Sequence, residues 1–430
     1  MNRKKAWTEL SLLSDIRNDT AEFIRHGKLF IRWVFLGIIT GLFVGLFSAF
    51  FALCLAFVTK TRGKYPWLLY LLPAAGLLIV FLYRHFKAEK EGGTNLLFLA
   101  IYGGEKVPFH MAPLIFISTL LTHITGGSAG REGAALQLGG SIGYTIGSIL
   151  KLDEQDKKII TMAGMSAAFG AVFGTPMAAV LFPIEVISVG VLYYVALVPC
   201  IVAALIGYQF AGRMGIDPEA FSVNNIPELS VLNLTKIALL AILCACLSTF
   251  FCQLLHRLGA DLKKLMPNPY VMVVVCSIII IAINKLLGTT DYLGAGIPVI
   301  ERAMFGEVVW YAFLVKMLLT ALTLAAGFKG GEIVPVFFVG ATFGCLAGHI
   351  LGISPSMCAA IGMTAMFCGA VNCPMTSMLL SLEIFGMKGA LFFFTAICIS
   401  YMFSGYSSLY KKQKFTYSKY KAKYINKPAK

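Results

Sequence analysis

The sequence predicts an all-α polytopic membrane protein that consists of two homologous halves. Three observations lead to this prediction. Of the 430 residues, 58% are hydrophobic and only 13% are charged, whereas about 25% of the residues of a soluble protein are charged. Apolar stretches of about 20 residues, long enough to cross a bilayer, recur from Phe30 onward. A pattern of glycine, proline and glutamate residues occurs twice in the same order.

The charge distribution predicts that both termini lie in the cytoplasm. Residues 1–29 mix both charge signs and lack an apolar core, which indicates a cytoplasmic N-terminal helix and no cleavable signal. Residues 411–430 form a basic tail with eight lysines and no acidic residue. Positively charged segments stay on the cytoplasmic side of a cell membrane. The net charge of +15 therefore indicates multi-pass topology and contact with the lipid bilayer, not nucleic-acid binding.

Between these ends, the apolar segments form two blocks. The first half covers residues 30–212 and the second half covers residues 232–410, with the polar segment 213–231 connecting them. The first span carries a small residue at every fourth position, as closely packed membrane helices do: Gly37, Gly41 and Gly45.

The internal repeat supports the division into halves. Segment 164–169 returns as segment 362–367, with both glycines and both phenylalanines in register. Interrupted apolar segments at matching positions of two halves are the best sequence indication of a transport site at their interface. The other matched pairs, the last two of them at a slightly larger offset, are Pro176 with Pro374, Glu185 with Glu383, Gly93 with Gly294, and Gly130 with Gly331.

The stretch 126–140 is the strongest candidate for the site itself. It begins with glycines, carries the pair Arg131 and Glu132, and then becomes apolar. A glycine-rich turn before a helix leaves free backbone N–H groups, and these groups favour an anion together with the positive end of the helix dipole. The alternative is a tight helix–helix crossing with Arg131 and Glu132 paired at the membrane surface.

Other kinds of site find little support. The eleven cysteines include no CxxC pair and show no ligand-like spacing with the six histidines, so we expect neither a metal nor another cofactor. No Ser-His-Asp set, HExxH motif or nucleotide-binding loop occurs, so a membrane-embedded enzyme is only a remote alternative.

The motifs resemble those of the CLC family of anion channels and transporters. Gly130-Arg131-Glu132-Gly133-Ala134 resembles the family signature Gly-Lys/Arg-Glu-Gly-Pro, and segment 331–335 resembles Gly-x-Phe-x-Pro. By the internal repeat, the slot of a third signature, Gly-Ser-Gly-Ile-Pro, falls on residues 93–97. Segment 294–298 resembles that signature better but lies in the copy in the second half.

The resemblance implies the CLC fold, with inverted-topology halves, broken and re-entrant helices, and a homodimer with one anion pathway per subunit. Glu132 falls on the gating glutamate. Tyr410 falls on the tyrosine that hydrogen-bonds the central anion, with Tyr406 as the competing candidate. The anion-binding residues implied in this way are Gly93, Thr94, Asn95, Gly130, Arg131, Gly133, Gly331, Ile333, Val334 and Tyr410.

Departures from the family pattern suggest the substrate. Thr94 replaces the serine of chloride-type members, and Glu332 lies in the second signature. Val186 replaces the second glutamate through which chloride–proton exchangers relay protons. This set resembles the fluoride–proton antiporter branch, although Thr94 and Val334 differ from the residues usual there. We therefore expect CLC-type halide transport, as proton-coupled export of fluoride or chloride. A passive chloride channel of the same fold is the alternative.

The carboxylates have distinct expected roles. Glu132 is expected to gate the path and to transfer protons with Glu332, and the alternative for Glu332 is a cap on its own helix. Glu185 and Glu383 are expected to be structural hydrogen bonders between helices. Arg131 is expected to orient the loop, with a partner that its sequence context does not identify.

Overall fold

The computed structural model describes residues 2–88 and 93–429, with side chains from residue 22 onward. Within these ranges the chain forms sixteen α-helices, eight in each half, and three short strands. The helices of the first half are α1 (Asn2–Lys64), α2 (Leu72–His85), α3 (Thr94–Gly103), α4 (Met111–Ile124), α5 (Glu132–Ile149), α6 (Glu154–Phe173), α7 (Pro176–Val186) and α8 (Leu197–Arg213). The helices of the second half are α9 (Val231–Leu265), α10 (Pro269–Leu287), α11 (Ile297–Met304), α12 (Ala312–Ala325), α13 (Ile333–Leu351), α14 (Pro355–Val371), α15 (Pro374–Phe385) and α16 (Ala390–Phe403).

The two halves repeat the same packing at their centres. An added Cβ at Gly139 of α5 would lie 2.3 Å from the carbonyl oxygen of Gly164 in α6. The matching Cβ at Gly340 of α13 would lie 2.4 Å from the carbonyl oxygen of Gly362 in α14. Both helix pairs therefore approach so closely that only glycine fits at the crossing. The predicted repeat is present in three dimensions.

Helix lengths indicate which segments are long enough to cross a membrane and which are too short. In the described part of the chain, six helical segments are long and apolar enough to span a bilayer, among them residues 22–64 of α1 and all of α9. Other apolar helices are shorter, such as α3, α7 and α15. Short helices leave their ends inside the protein, where their unpaired backbone groups must find other partners.

Several boundaries differ from the sequence prediction. The boundary near residue 29 lies inside α1, which continues from Asn2 to Lys64 because the intervening residues contain neither proline nor a helix-ending turn. The last helix, α16, ends at Phe403, near the positive φ of Gly405. Tyr410 was expected at the end of the last span, but it lies in the irregular segment after it.

The C-terminal residues form part of a small sheet rather than a free tail. Strands β2 (Lys414–Tyr417) and β3 (Tyr424–Pro428) are antiparallel, and β1 (Ser188–Val189), directly after α7, pairs in parallel with β2. Phe415 of β2 is fully buried. Because lysines dominate this part of the sequence, its composition concealed the strands.

Candidate functional site

The two signature loops meet at the centre of the molecule. The N–H of Gly130 donates to the carbonyl of Gly331, and the N–H of Gly331 donates to the carbonyl of Gly130, both at 2.7 Å. Helices α5 and α13 begin within two residues of this pair. An added Cβ at Gly331 would lie 2.6 Å from the nitrogen of Gly133. The positive ends of two helix dipoles, one from each half, therefore meet where only glycine fits.

Glu132 is folded back onto the start of its own helix. Its side-chain oxygen Oε2 accepts the N–H of Arg131 at 2.9 Å and would lie 2.6 Å from a Cβ at Gly130. The residue is only 1% exposed. Its other oxygen, Oε1, has no hydrogen-bond partner among the described residues. The carboxylate thus occupies the position at a helix N-terminus that favours an anion.

Arg131 has a second carboxylate partner, which the sequence did not identify. Its guanidinium hydrogen-bonds Glu219, while its Nε lies 3.5 Å from Oε1 of Glu132. Glu219 belongs to the connecting segment 213–231, and its N–H donates to the carbonyl of Phe173 at 3.3 Å. Because 88 residues of chain separate the two partners, only the path of the connecting segment brings them together.

Glu332 approaches the same glycines from the other half. It holds the N-cap position of α13, but its side chain makes no capping hydrogen bond to that helix. Its Oε2 would lie 3.3 Å from a Cβ at Gly133. The carboxylates of Glu132 and Glu332 therefore both lie near the pair formed by Gly130 and Gly331. Ile333 and Val334 are buried beside them, and their apolar side chains leave only backbone N–H groups for an anion.

The predicted central slot lies where α3 begins. Gly93 has a φ of +60°, which favours glycine. The buried hydroxyl of Thr94 donates to the carbonyl of Gly133 at 3.4 Å, so α3 starts beside α5. Asn95 is turned to a different partner, since its Oδ1 accepts the N–H of Lys412 at 2.9 Å.

Tyr410, not Tyr406, carries an unused hydroxyl inside the protein. Tyr410 is 2% exposed and packs edge-on against Phe98 of α3, with ring centroids 5.1 Å apart. Its hydroxyl has no hydrogen-bond partner in the described part of the chain, which is uncommon for a buried polar group. The hydroxyl of Tyr406 is already hydrogen-bonded to Ser418 at 2.9 Å.

Gln137 is a polar residue of this region that the motifs did not include. It lies one helical turn after Gly133 on the same face of α5. Its Oε1 would lie 3.6 Å from a Cβ at Gly93, and its Nε2 is buried without a partner among the residues described. The sequence offered one signal for this residue, because a glutamine inside an apolar helix, one turn after a signature glycine, is a candidate site residue.

Glu185 and Glu383 join the two halves symmetrically. Glu185 of α7 accepts the N–H groups of Met375 and Thr376, at 3.0 and 2.8 Å. In return, Glu383 of α15 accepts the N–H groups of Met177 and Ala178, at 2.8 and 2.9 Å. Each glutamate therefore caps the first turn of the matching helix in the other half, and the predicted hydrogen bonding between helices is confirmed.

Known proteins share both the sequence pattern and the architecture. The family profile described as voltage gated chloride channel matches residues 75–405. A chloride/fluoride channel protein of Pseudomonas syringae pv. tomato is 32% identical over 396 residues, which cover 90% of this chain and 88% of that protein.

Two solved structures have the same fold. A CLC-type fluoride/proton antiporter superimposes with a TM-score of 0.85 at 28% identity, covering 89% of this chain and 98% of that one. A slow cyanobacterial Cl⁻/H⁺ antiporter superimposes with a TM-score of 0.75 at 18% identity, covering 87% of this chain and 94% of that one. The predicted all-α fold is thereby confirmed.

Proposed function

Because the chain belongs to the voltage-gated chloride channel family, the CLC family, and its relatives are halide transporters, we propose that it exports fluoride in exchange for protons. The observation that carries the proposal is the position of Glu132. Its buried carboxylate lies on the N-terminal amide of Arg131, beside the meeting point of α5 and α13. A halide and this carboxylate are both anions, so they compete for the same site.

Protonation of Glu132 couples the two ions. The ionised carboxylate keeps its place at the helix terminus, because that position stabilises negative charge. The neutral acid loses this stabilisation, so an anion displaces it. When the anion leaves, the carboxyl group releases its proton and returns. One direction of anion movement therefore requires a proton to move in the opposite direction.

Glu332 supplies a second titratable group beside the first. Its Oε2 would lie 3.3 Å from a Cβ at Gly133, whereas the Glu132 carboxylate lies beside Gly130. When neutral, its carboxyl group donates a hydrogen bond to the anion. When ionised, it accepts the proton that Glu132 releases. Both functions depend on its not being used as a cap of α13.

Hydroxyl and backbone donors form the rest of the proposed anion path. Tyr410 contributes a buried hydroxyl that has no other partner in the described residues. Thr94 contributes a second hydroxyl at the start of α3 when its proton turns from the carbonyl of Gly133, 3.4 Å away, to the anion. The backbone N–H groups at Gly93, Gly133, Ile333 and Val334 complete the set, while those of Gly130 and Gly331 bond each other's carbonyls and hold the two loops together. Arg131 adds positive potential, and Asn95 follows Thr94 at the start of α3. Fluoride is a small, strong acceptor, and donors of this kind suit it. Two similar proteins, the chloride/fluoride channel protein and the fluoride/proton antiporter, also support fluoride as the substrate.

A passive chloride channel is the second candidate. A channel of this fold needs a continuous open path. In the structure, the Glu132 side chain is buried at the junction of the two signature loops. A closed, titratable gate favours an antiporter over a channel.

We further propose a homodimer in the cell membrane with both termini in the cytoplasm. Exposed apolar residues on α8 and α16, such as Leu205 and Leu391, provide a face for a second subunit or for lipid. The lysines after Tyr410 favour the cytoplasmic side.

Efflux from proteoliposomes loaded with both fluoride and chloride tests this function, with external pH followed at the same time. We expect fluoride efflux with proton uptake, and we expect Glu132→Gln to abolish the proton movement because a glutamine cannot titrate. Glu154→Gln, at an exposed position on α6, is the matched control. Chloride efflux equal to or faster than fluoride efflux would contradict the substrate, and an unchanged pH during fluoride efflux would contradict the coupling.

A further inference from the structure

The C-terminal segment, residues 411–429, is joined to the transmembrane helices near the proposed anion path. It follows Tyr410 directly, and its strand β2 pairs with β1, which follows α7. Phe415 and Gln413 are both fully buried. A solvated basic tail would bury neither residue, so this segment is part of the folded core.

Gln413 connects the two halves through a single side chain. The residue is 0% exposed. Its Nε2 donates to the carbonyls of Val186 and Val371, both at 2.7 Å, and its Oε1 accepts Nδ2 of Asn372 at 3.0 Å. Val186 ends α7 in the first half, and Val371 ends α14 in the second half. One amide therefore bonds the last carbonyls of two helices, that of α7 and that of α14, and shares the second with the thiol of Cys373 at 3.3 Å.

Lys419 makes a second connection to the helix ends. Its ammonium donates to Oδ1 of Asn372 at 2.5 Å, to the carbonyl of Tyr401 at 2.9 Å and to the hydroxyl of Ser404 at 3.0 Å. These three bonds use all of its donors, and a cation is favoured at helix C-termini. Burial lowers the pKa of Lys419 to about 8, so the ammonium remains charged at neutral pH.

Gln413 holds the short turn that contains Tyr410 directly, and Lys419 reaches it through Asn372, whose Nδ2 donates to the carbonyl of Ser407 at 2.9 Å. The N–H of Gln413 donates to the carbonyl of Tyr410 at 3.0 Å, and the N–H of Lys412 donates to Oδ1 of Asn95 at 2.9 Å. On the other side, the N–H of Leu409 donates to the carbonyl of Ala370 at 3.0 Å. The backbone of Tyr410 is therefore fixed from both directions, although its own hydroxyl bonds no described residue.

From these contacts we infer that Gln413 and Lys419 are positioning residues of the anion path, which place the Tyr410 hydroxyl by anchoring the turn after it to the ends of α7, α14 and α16. This inference rests on the proposed anion transport. The two residues do not contact the anion. Without their side-chain bonds, the turn keeps its backbone bonds to Asn95 and Ala370 but loses its side-chain anchors to the ends of α7, α14 and α16, so the hydroxyl no longer meets the anion in one geometry.

A double-mutant cycle in full-length protein, reconstituted into proteoliposomes, tests the inference. Gln413→Met keeps the length of the side chain and removes its three hydrogen bonds, and Tyr410→Phe removes only the hydroxyl. We expect each to raise the KM for fluoride about tenfold, with maximal turnover changed much less. The combined variant should be no worse than the poorer single variant, because both changes remove the same interaction.

Two further variants keep the test decisive. Lys419→Met removes the second connection and should also raise the KM, so the inference can still be tested if Gln413→Met does not fold. Lys427→Ala changes an exposed lysine of β3 and should leave the KM as it is. Size-exclusion chromatography confirms folding of every variant.

The outcomes separate this inference from the proposed function. If the wild-type protein transports no halide, the proposed function fails. If it transports fluoride but the combined variant shows the product of the two single effects, Gln413 acts independently of Tyr410 and the inference is wrong. An unchanged KM in both Gln413→Met and Lys419→Met would also overturn it.

Discussion

At the scale of single residues, the site depends on which buried polar groups already have partners. Asn95, Glu185 and Glu383 are engaged by backbone N–H groups. The hydroxyl of Tyr410 and Nε2 of Gln137 have no hydrogen-bond partner among the residues described, and neither does Oε1 of Glu132, which lies 3.5 Å from Nε of Arg131. Buried polar groups are rarely left unpaired, and these three lie near the signature loops and the start of α3, so we propose that the transported ions meet them.

The ion pair between Arg131 and Glu219 gives a prediction at this scale. Glu219 holds the guanidinium that also lies 3.5 Å from the Glu132 carboxylate. In Glu219→Gln, the full charge of Arg131 acts on Glu132 and stabilises its ionised, path-closing form. We expect fluoride turnover at neutral pH to fall about five- to tenfold and to recover on acidification, measured as efflux from proteoliposomes across a pH series. Glu228→Gln, in the same connecting segment, is the control. If the turnover of Glu219→Gln equals that of the wild-type protein at every pH, Glu219 does not act on the charge of Glu132 and only supports the loop.

At the scale of helices, the glycines decide how closely the central pairs pack. Helix α5 meets α6, and α13 meets α14, with backbone against backbone at Gly164 and Gly362. This packing leaves the short helices with buried termini at the centre. The N-termini of α7 and α15 are capped by glutamates of the opposite half, Glu383 and Glu185.

Replacing glycine by alanine at the α5–α6 crossing or at the α13–α14 crossing should therefore lower the stability of the protein. In Gly139→Ala and Gly340→Ala, the new methyl group would lie within 2.4 Å of a carbonyl oxygen that belongs to a neighbouring helix. We expect each to lower stability by about 1–3 kcal/mol, measured as thermal unfolding in detergent. Gly212→Ala, on α8 with nothing within 4 Å of the added methyl group, should be neutral. Equal stability of all three variants would contradict this prediction, because it would mean that the helices move apart to fit the methyl group without loss of stability.

At the scale of the whole molecule, three sets of hydrogen bonds at helix ends join the two halves, in addition to bonds such as that from the N–H of Ser128 to the hydroxyl of Thr323. The glycine pair joins the signature loops, the glutamates cap helices of the opposite half, and Gln413 bonds α7 and α14 together. All three connections involve backbone groups at the ends of broken helices. The halves are therefore joined where membrane helices have unsatisfied polar groups, a role that lipid cannot fill.

The proposed topology predicts that trypsin cleaves the C-terminal segment from the cytoplasmic side of the membrane only. Lys421 and Lys423 are exposed between β2 and β3, and we place this segment in the cytoplasm. Trypsin should shorten the protein in inside-out vesicles and leave it intact in right-side-out vesicles, as read by mass spectrometry of the C-terminal peptides. A Lys421→Gln/Lys423→Gln variant should lose these cleavages. Cleavage from the outside alone would reverse the assigned topology.

The sequence by itself determined the membrane class, the repeat and the signature loops. These properties are local: hydropathy over one span, glycine at a close approach, and a short motif at a helix start can each be recognised in consecutive residues. The repeat correctly paired Gly130 with Gly331 and Glu185 with Glu383, because symmetric halves place equivalent residues in equivalent contacts.

Only the tertiary structure decided the partners of those residues. Glu219, which pairs with Arg131, lies in an irregular segment. Gln137 of α5 lies beside Gly93 at the start of α3. Gln413 donates hydrogen bonds to carbonyls of both halves. Each of these contacts joins positions far apart in the chain and involves a polar residue whose neighbours carry no periodic pattern. Hydrophobic periodicity specifies which face of a helix is buried, but the pairing of buried polar groups depends on how the helices are placed around them.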